Sequence, residues 1–378
     1  MHILVIQINC RRRMMTKKEQ KDYFKADGVF AASNSSDGFK SYYGEIFDGK
    51  KLQRLYIIKG GPGTGKSSFM KDAAKCAEGR GYSVEYYYCS SDPDSLDGIV
   101  IDGRVAIIDG TAPHTCDTII AGARDEIINL GEFWDGARLA ERYSEILALS
   151  EKKSAAYRKG YRYLTACGEL SEINTSLFYP ALKEKKMLSS VARIVSAFPS
   201  GEVGGQRTAL VDSIGMRGRV RFDTYEKCAT KIYSVIDWYS TAHLFLRAVA
   251  VCAERRNIPI TVSYDPINAE RPDAVFLRNS GVAFVSVPPS EAEDAVGTRV
   301  NMKRFIDKDA ADRVKKEYKY NTRLYEALLS SACEAFEEAG EYHFALERIY
   351  SSCMDFAAKE RYTASFCEML LGILENKK

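Results

Sequence analysis

Apolar residues in the first half of the chain fall into short runs separated by polar turns. Leu55-Tyr-Ile-Ile-Lys59 and Arg104-Val-Ala-Ile-Ile-Asp109 are near-continuous apolar runs of strand length, and Tyr82–Cys89 is rich in aromatic and β-branched residues. Each predicts a strand. From about Gly65 to Arg80 the apolar positions recur at helical spacing, and Gly81 supplies a C-terminal stop. Strand, helix, strand at this length predicts a βαβ unit and a parallel sheet. An extended segment around Val29–Tyr43 opens the unit, and a loop leads from the second strand to the third. From Ala137 to Phe198 the spacing is helical with mixed charges, punctuated by Gly168 and Pro180.

The same plan is then written again. Phe69-Met-Lys-Asp-Ala-Ala-Lys-Cys-Ala-Glu78 aligns without a gap to Phe245-Leu-Arg-Ala-Val-Ala-Val-Cys-Ala-Glu254. In the same order, Leu55–Lys59 answers Ile232–Ile236, Asp92-Pro93 answers Asp265-Pro266, Arg104–Asp109 answers Gly281–Ser286, and Phe133-Trp-Asp135 answers Phe305-Ile-Asp307. The second copy opens around Ala209–Phe222 and closes with a helical stretch over Asp309–Glu375. Shared order across many short matches indicates duplication. The expected fold class is α/β: two tandem three-layer domains with parallel sheets, each followed by a long helical extension. The first domain covers residues 21–200 and the second 206–378. Phe198-Pro-Ser-Gly-Glu-Val-Gly-Gly205 is the linker by composition.

Composition adds mainly exclusions. With 378 residues, 46% hydrophobic and 28% charged, the chain is neither disordered nor a membrane bundle. A net charge of +3 makes no global case for nucleic acid or a membrane surface. The ten cysteines form no C-x-x-C pair, and four scattered histidines complete no zinc site, so reduced thiols in a cytoplasmic protein are expected. No apolar run approaches the roughly 18 residues of a membrane span. The N-terminal run His2–Asn9 precedes Arg11-Arg12-Arg13, the wrong order for an export signal. Residues 1–20 read either as a tail upstream of a start at Met14 or Met15, or as an edge strand.

The chemistry lies in the first copy. Gly60-Gly61-Pro62-Gly63-Thr64-Gly65-Lys66-Ser67 fits G-x-x-x-x-G-K-[ST], follows an apolar strand and opens a helix. Glycines let successive backbone N–H groups converge on phosphate oxygens, and the helix N-terminus adds partial positive charge. Lys66 reaches the β- and γ-phosphates, Ser67 ligates Mg²⁺, and Ser68 extends the cradle. Val105-Ala-Ile-Ile-Asp109 is an apolar strand ending in an acid, which makes Asp109 the second metal ligand. No Glu follows Asp109, so a base must come from elsewhere. Asp92, Asp94, His114, Asp125 and Glu126 are the candidates, with Asp92 favoured because it follows the second strand; Asp92-Pro-Asp-Ser95 is equally a turn and helix-start sequence.

In the second copy Ala242 and His243 stand for Lys66 and Ser67, Trp238 and Tyr239 stand at glycine positions, Asp237 would repel phosphate, and Ser286 replaces Asp109. That half is expected to keep its fold, to bind no nucleotide, and to fill the vacated pocket with Trp238. Gly60–Ser68, Cys89–Asp97, Ile107–His114 and Asp125–Leu130 together resemble a family of bacterial tandem P-loop ATPases and ATP-binding proteins. The resemblance implies two P-loop-type domains, ATP with Mg²⁺ as cofactors, and a cytoplasmic location. A second Gly-rich loop, which the family can carry, is missing here. Three functions follow. The leading one is an Mg-dependent ATPase, with a protein partner left open. A small-molecule or nucleotide kinase is the alternative, its lid drawn from Arg138, Arg142, Arg158 and Arg162 unless these form a solvated helix face. A nucleic-acid module resting on Tyr157-Arg-Lys-Gly-Tyr-Arg-Tyr163 and Lys183–Lys186 comes last, because aromatics at helical spacing more often pack in a core.

Overall fold

A computed structural model of the chain describes residues 28–47, 52–202 and 204–376. The N-terminal arginine-rich segment with Met14 and Met15 lies outside the described residues. The first repeat contains β1 (Gly28–Phe30), a hairpin of β2 (Ala32–Ser35) and β3 (Gly38–Ser41), and α1 (Tyr43–Ile46). It continues with β4 (Arg54–Lys59), α2 (Lys66–Glu78), β5 (Val84–Tyr88), β6 (Leu96–Ile101), β7 (Val105–Asp109) and β8 (Asp125–Asn129), then α3 (Gly136–Glu141), α4 (Tyr143–Phe178) and α5 (Glu184–Ser196). The second repeat runs through β9 (Gln206–Thr208), the hairpin β10 (Asp212–Gly215) and β11 (Gly218–Arg221), α6 (Thr224–Cys228), β12 (Lys231–Ile236) and α7 (Ala242–Arg255). Then come β13 (Ile260–Tyr264), β14 (Pro272–Leu277), β15 (Val282–Val287), β16 (Thr298–Asn301), α8 (Lys308–Ser351) and α9 (Phe356–Glu375).

The duplication is explicit in the sheets. Both are six-stranded, ordered β1-β5-β6-β7-β4-β8 and β9-β13-β14-β15-β12-β16. In each, the strand before the first long helix pairs in parallel with both neighbours. The sheets are mixed, however, which corrects the all-parallel expectation. β6 and β14 run antiparallel to the strands on both sides. β6 occupies what reads in the sequence as a connecting loop, and it turns into β7 at Asp102-Gly103, both in the left-handed region (φ 52° and 64°). With only three residues between the paired Ile101 and Val105, the turn allows only an antiparallel return.

The repeats exchange their coverings. Phe366, Leu370 and Leu374 of α9 lie in one apolar core with Phe69 and Met70 of α2. Met187, Val191 and Val195 of α5 lie with Phe245 and Leu246 of α7. Each repeat's C-terminal helix therefore covers the other repeat's sheet. The crossing points correspond: Asp135 N–H donates to Cys353 O (2.7 Å) and Asp355 N–H to Phe133 O (2.7 Å), while Asp307 N–H donates to Ala181 O (2.8 Å) and Lys183 N–H to Phe305 O (2.6 Å). The hairpins cross too. Ser36 N–H donates to Ile267 O (2.8 Å), and Met216 N–H to Ser91 O (2.8 Å). At the centre Phe30 and Leu210 exchange both backbone hydrogen bonds.

The two sheets share an apolar core through Ile57, Ile108, Ala283 and Val285, and α4, 36 residues, lies antiparallel along α8, 44 residues, through Leu164, Cys167, Ala332 and Phe336. Tyr157 and Tyr161 pack their rings on Phe336, so these aromatics belong to the helix contact. Pro180 breaks the first helical stretch as expected. Gly168 does not; α4 runs through it, and its missing Cβ makes room for Ser36 of the hairpin, which a Cβ there would approach to 2.6 Å. The second stretch breaks at Ser352–Asp355, where the Asp355 carboxylate caps α9 by accepting from Ala358 N–H (2.9 Å). Among the described residues no helix is long and apolar enough to cross a membrane.

Candidate functional site

Residues 60–65 link β4 to α2, and the register of the parallel pair β4–β7 sets Asp109 beside Ile58, at the mouth of that loop. Gly63 and Gly65 take left-handed φ values of 71° and 81°, which glycine adopts without a Cβ penalty. Pro62 precedes the turn, and buried Thr64 closes it by donating its hydroxyl to Gly61 O (2.9 Å). Lys66 opens α2; its ammonium donates to Gly60 O (3.1 Å) and Gly61 O (3.0 Å) and lies 3.6 Å from Asp109 Oδ2. Ser67 Oγ accepts from Leu96 N–H (3.0 Å), and Ser68 Oγ donates to Gly65 O (2.8 Å). The residues of the motif and Asp109 thus form one cluster at the C-terminal edge of the first sheet.

Asp109 is mostly buried, and burial raises its pKa although Lys66 and the Thr111 hydroxyl pull the other way. Asp97, one residue beyond the last β6–β7 pair of Gly98 with Ile108, adds to this rise through its negative charge. Asp97 Oδ2 lies 3.0 Å from His114 Nε2, both buried. Burial alone would lower the His114 pKa, but the Asp97 carboxylate outweighs it and the value is raised. The His114 ring is buried and stacks on Tyr43 at 4.5 Å.

The other candidate bases scatter. Asp92 is nearly buried, accepts from Ser95 Oγ (2.9 Å), and lies 3.8 Å from Arg217 of the second repeat's hairpin. Asp94 is exposed and also faces Arg217. Asp125 and Glu126 pair with Leu55 and Tyr56 at the start of β4, the edge away from the loop. There Asp125 is held down at about 2 by Arg124 and by the N–H groups of Ile119 and Ile120. Arg142 pairs with Glu145, and Arg138, Arg158 and Arg162 sit on exposed helix positions.

What sequence reasoning missed comes from the second repeat. A Cβ at Gly63 would lie 2.5 Å from the Glu347 carbonyl oxygen and 3.1 Å from its Cα, so α8 touches the loop backbone. A Cβ at Gly61 would meet the Tyr350 ring at 3.0 Å. Buried Lys359 of α9 donates to Ser68 Oγ (2.9 Å), and burial lowers its pKa. Burial and the like charge of Lys66 lower the pKa of Lys153 on α4. Glu347 and Lys359 stand nearly three hundred residues from the motif and carry no local signal, so only the exchange of helices could have pointed to them.

The second repeat's equivalent loop, residues 237–241, is shorter. Its Asp237 Oδ1 accepts from Ala242 N–H (2.8 Å), placing an internal carboxylate at the N-terminus of α7. Tyr239 and Ser240 take left-handed φ values of 66° and 55° without glycine. Packing holds them: the Tyr239 ring stacks on Phe178 at 4.2 Å, and Ser240 O accepts from Thr175 Oγ1 (3.1 Å). Tyr239, rather than the expected Trp238, is the aromatic stacked under the covering helix; Trp238 lies beneath the Lys303 ammonium. His243 is driven down to about 3 by burial and by Arg271 and Arg247, so it is neutral at physiological pH. No protein family, curated protein or solved structure matches the chain.

Proposed function

We propose that the first repeat binds a nucleoside triphosphate with Mg²⁺, ATP being the preferred one, and hydrolyses it, while the second repeat binds none. The observation that carries this reading is the convergence of Lys66, at the first position of α2, with the loop carbonyls and Asp109. A lysine, a glycine-rich loop and a helix N-terminus on one point suit a polyphosphate. The donors also suit Mg²⁺. Ser67 Oγ and the Asp109 carboxylate are hard oxygen ligands, and Asp109 is a buried acid whose charged form a cation would relieve. Among the described residues no three His, Cys, Asp or Glu side chains are grouped to hold a metal unaided. Mg²⁺ commonly keeps waters and takes phosphate oxygens, so one or two protein ligands suffice. When bound, the ion would neutralise charge on the transferring phosphoryl group.

The chain's own residues then have distinct tasks. Lys66 holds the phosphates, the N–H groups of residues 60–66 orient them, and α8 with Tyr350 keeps bulk water from the loop. The decisive experiment is calorimetry with a slowly hydrolysed ATP analogue and Mg²⁺, followed by turnover with ATP and GTP. One site per chain is expected. Lys66→Ala should lose roughly 10²-fold or more in turnover while remaining folded. Asp109→Asn should retain nucleotide docking and lose most hydrolysis. Normal turnover in a folded Lys66→Ala protein rejects the assignment, and a phosphorylated acceptor in place of free phosphate identifies a kinase.

A further inference from the structure

The loop that follows β7 is tied down at several points, and the ties lead to the Asp109 carboxylate. Thr111 donates to Asp109 Oδ1 twice, from its N–H (2.8 Å) and from its hydroxyl (2.6 Å). That oxygen is thereby fixed, and Oδ2 is left on the side of Lys66. Other contacts hold Thr111 in place. His114 N–H donates to Thr111 O (2.8 Å) and closes a turn. The buried His114 ring has Asp97 Oδ2 3.0 Å from its Nε2, stacks on Tyr43 and meets Phe39 edge-on. Lys59, the residue just before the glycine-rich loop, donates its ammonium to Gly110 O and to Cys116 O (2.7 Å each), which draws both ends of the 110–116 loop to the end of β4. Next to Asp97 in the chain, Leu96 N–H donates to Ser67 Oγ (3.0 Å). The dipeptide Leu96-Asp97 at the start of β6 therefore reaches Ser67 directly, and Asp109 through His114 and Thr111.

The second repeat shows which of these ties the fold itself requires. Strand register sets Ala274 opposite Val285 as it sets Gly98 opposite Ile108, so Pro272 and Asp273 stand at the positions of Leu96 and Asp97. The acid persists, but it faces Arg221 (3.6 Å) in place of a histidine. Proline has no N–H to offer the side chain at the Ser67 position, which is His243. Ile236 stands for Lys59, and Pro288 for Thr111 when counted from Ser286. A six-stranded sheet of the same order forms without any of them. The ties to Ser67 and Asp109 thus go with the intact loop and not with the architecture.

We propose that Lys59, Thr111 and the Asp97–His114 pair are positioning residues for Mg²⁺, setting the Asp109 carboxylate and the Ser67 hydroxyl in place before any ion arrives. A hydroxyl has two lone pairs; one accepts from Leu96 N–H and the other remains for a cation. Ligands already held in orientation lose little freedom when the ion binds.

The inference rests on the nucleotide-binding reading, and the test separates the two. A slowly hydrolysed ATP analogue is titrated calorimetrically into wild type, Thr111→Val, Thr111→Ser, Lys59→Met and His114→Gln, once with Mg²⁺ and once with a chelator. Wild type should bind more tightly with Mg²⁺. Valine keeps the shape of threonine and lacks the hydroxyl. Thr111→Val should forfeit about tenfold of the Mg²⁺-dependent gain, the worth of one hydrogen bond to a charged group, and should match wild type in chelator. Thr111→Ser should recover the gain, and Lys59→Met and His114→Gln should shift as Thr111→Val does. A role in folding alone would weaken binding equally with and without Mg²⁺. Should His114→Gln fail to fold, Thr111→Val, at a half-buried loop position, still decides. If wild type gains from Mg²⁺ and Thr111→Val gains as much, the positioning role is wrong. It is equally wrong if Mg²⁺ adds nothing to binding by wild type. If wild type binds no analogue under either condition, the assignment of the glycine-rich loop fails and the positioning role fails with it.

Discussion

At the scale of single residues, two contrasts can be measured without any ligand. Gly63 and Gly81 both take left-handed φ, 71° and 83°, yet a Cβ at Gly81 would meet nothing, whereas at Gly63 it would strike the backbone of Glu347. Gly81→Ala should cost about 1 kcal/mol, the conformational term alone. Gly63→Ala should cost more, because a helix backbone cannot step aside as a side chain can. Equal losses in urea unfolding would mean that α8 does not bear on the loop. His114 gives a pH signature. Its folded pKa is raised above 6.5, so the stability gained from its charged form is complete below the unfolded value and fades as pH rises through the folded one. The melting-temperature gap between wild type and His114→Gln should therefore be wider at about pH 6 than at about pH 8.5. A gap that stays constant with pH would show that the histidine is neutral against Asp97.

Elements explain what the sequence could and could not reveal. The strand–loop–helix around Lys66 and the acid at Asp109 were legible because each is written in consecutive residues. β6 was also written locally, as an apolar run ending at Ile101 before Asp102-Gly103, a hairpin signal, but the βαβ reading passed over it. The break at Ser352–Asp355 was marked only by an N-capping aspartate inside an otherwise helical stretch. Partner choice between helices leaves no local trace, since an apolar stripe on α5 or α9 fits either sheet equally well on paper. Gly160 of α4 illustrates how packing decides. Alanine is the better helix former, yet a Cβ at Gly160 would lie 2.7–3.0 Å from the Phe336 ring. Gly160→Ala should destabilise by about 1–3 kcal/mol, because overpacking outweighs the propensity gain. A stabilised variant would show that α4 and α8 are not in tight contact at that turn.

For the whole molecule, the exchange predicts that neither half is self-sufficient. A fragment ending at residue 202 keeps its sheet but loses α9, leaving Phe69 and Met70 without Phe366, Leu370 and Leu374. A fragment starting at residue 204 loses α5 in the same way. Each alone should unfold without a cooperative transition or aggregate, and the two produced together should reassemble into a species that melts as the intact chain does. Cooperative melting of either fragment on its own would argue against the exchange.

The crossing of the helices also constrains ancestry. A single repeat of this design cannot cover its own sheet, so before duplication it could have been complete only as a pair of identical chains, each lending its helices to the other around the Phe30–Leu210 contact. In such a pair every change occurs twice. Joining the copies end to end through residues 198–205 removed that restriction. One copy was then free to lose its loop lysine and glycines, while its helices stayed committed to the neighbour they cover. The second repeat has on this view not decayed; it has specialised, its α8 backbone still set against Gly63 and its Lys359 still bonded to Ser68 of the neighbouring loop.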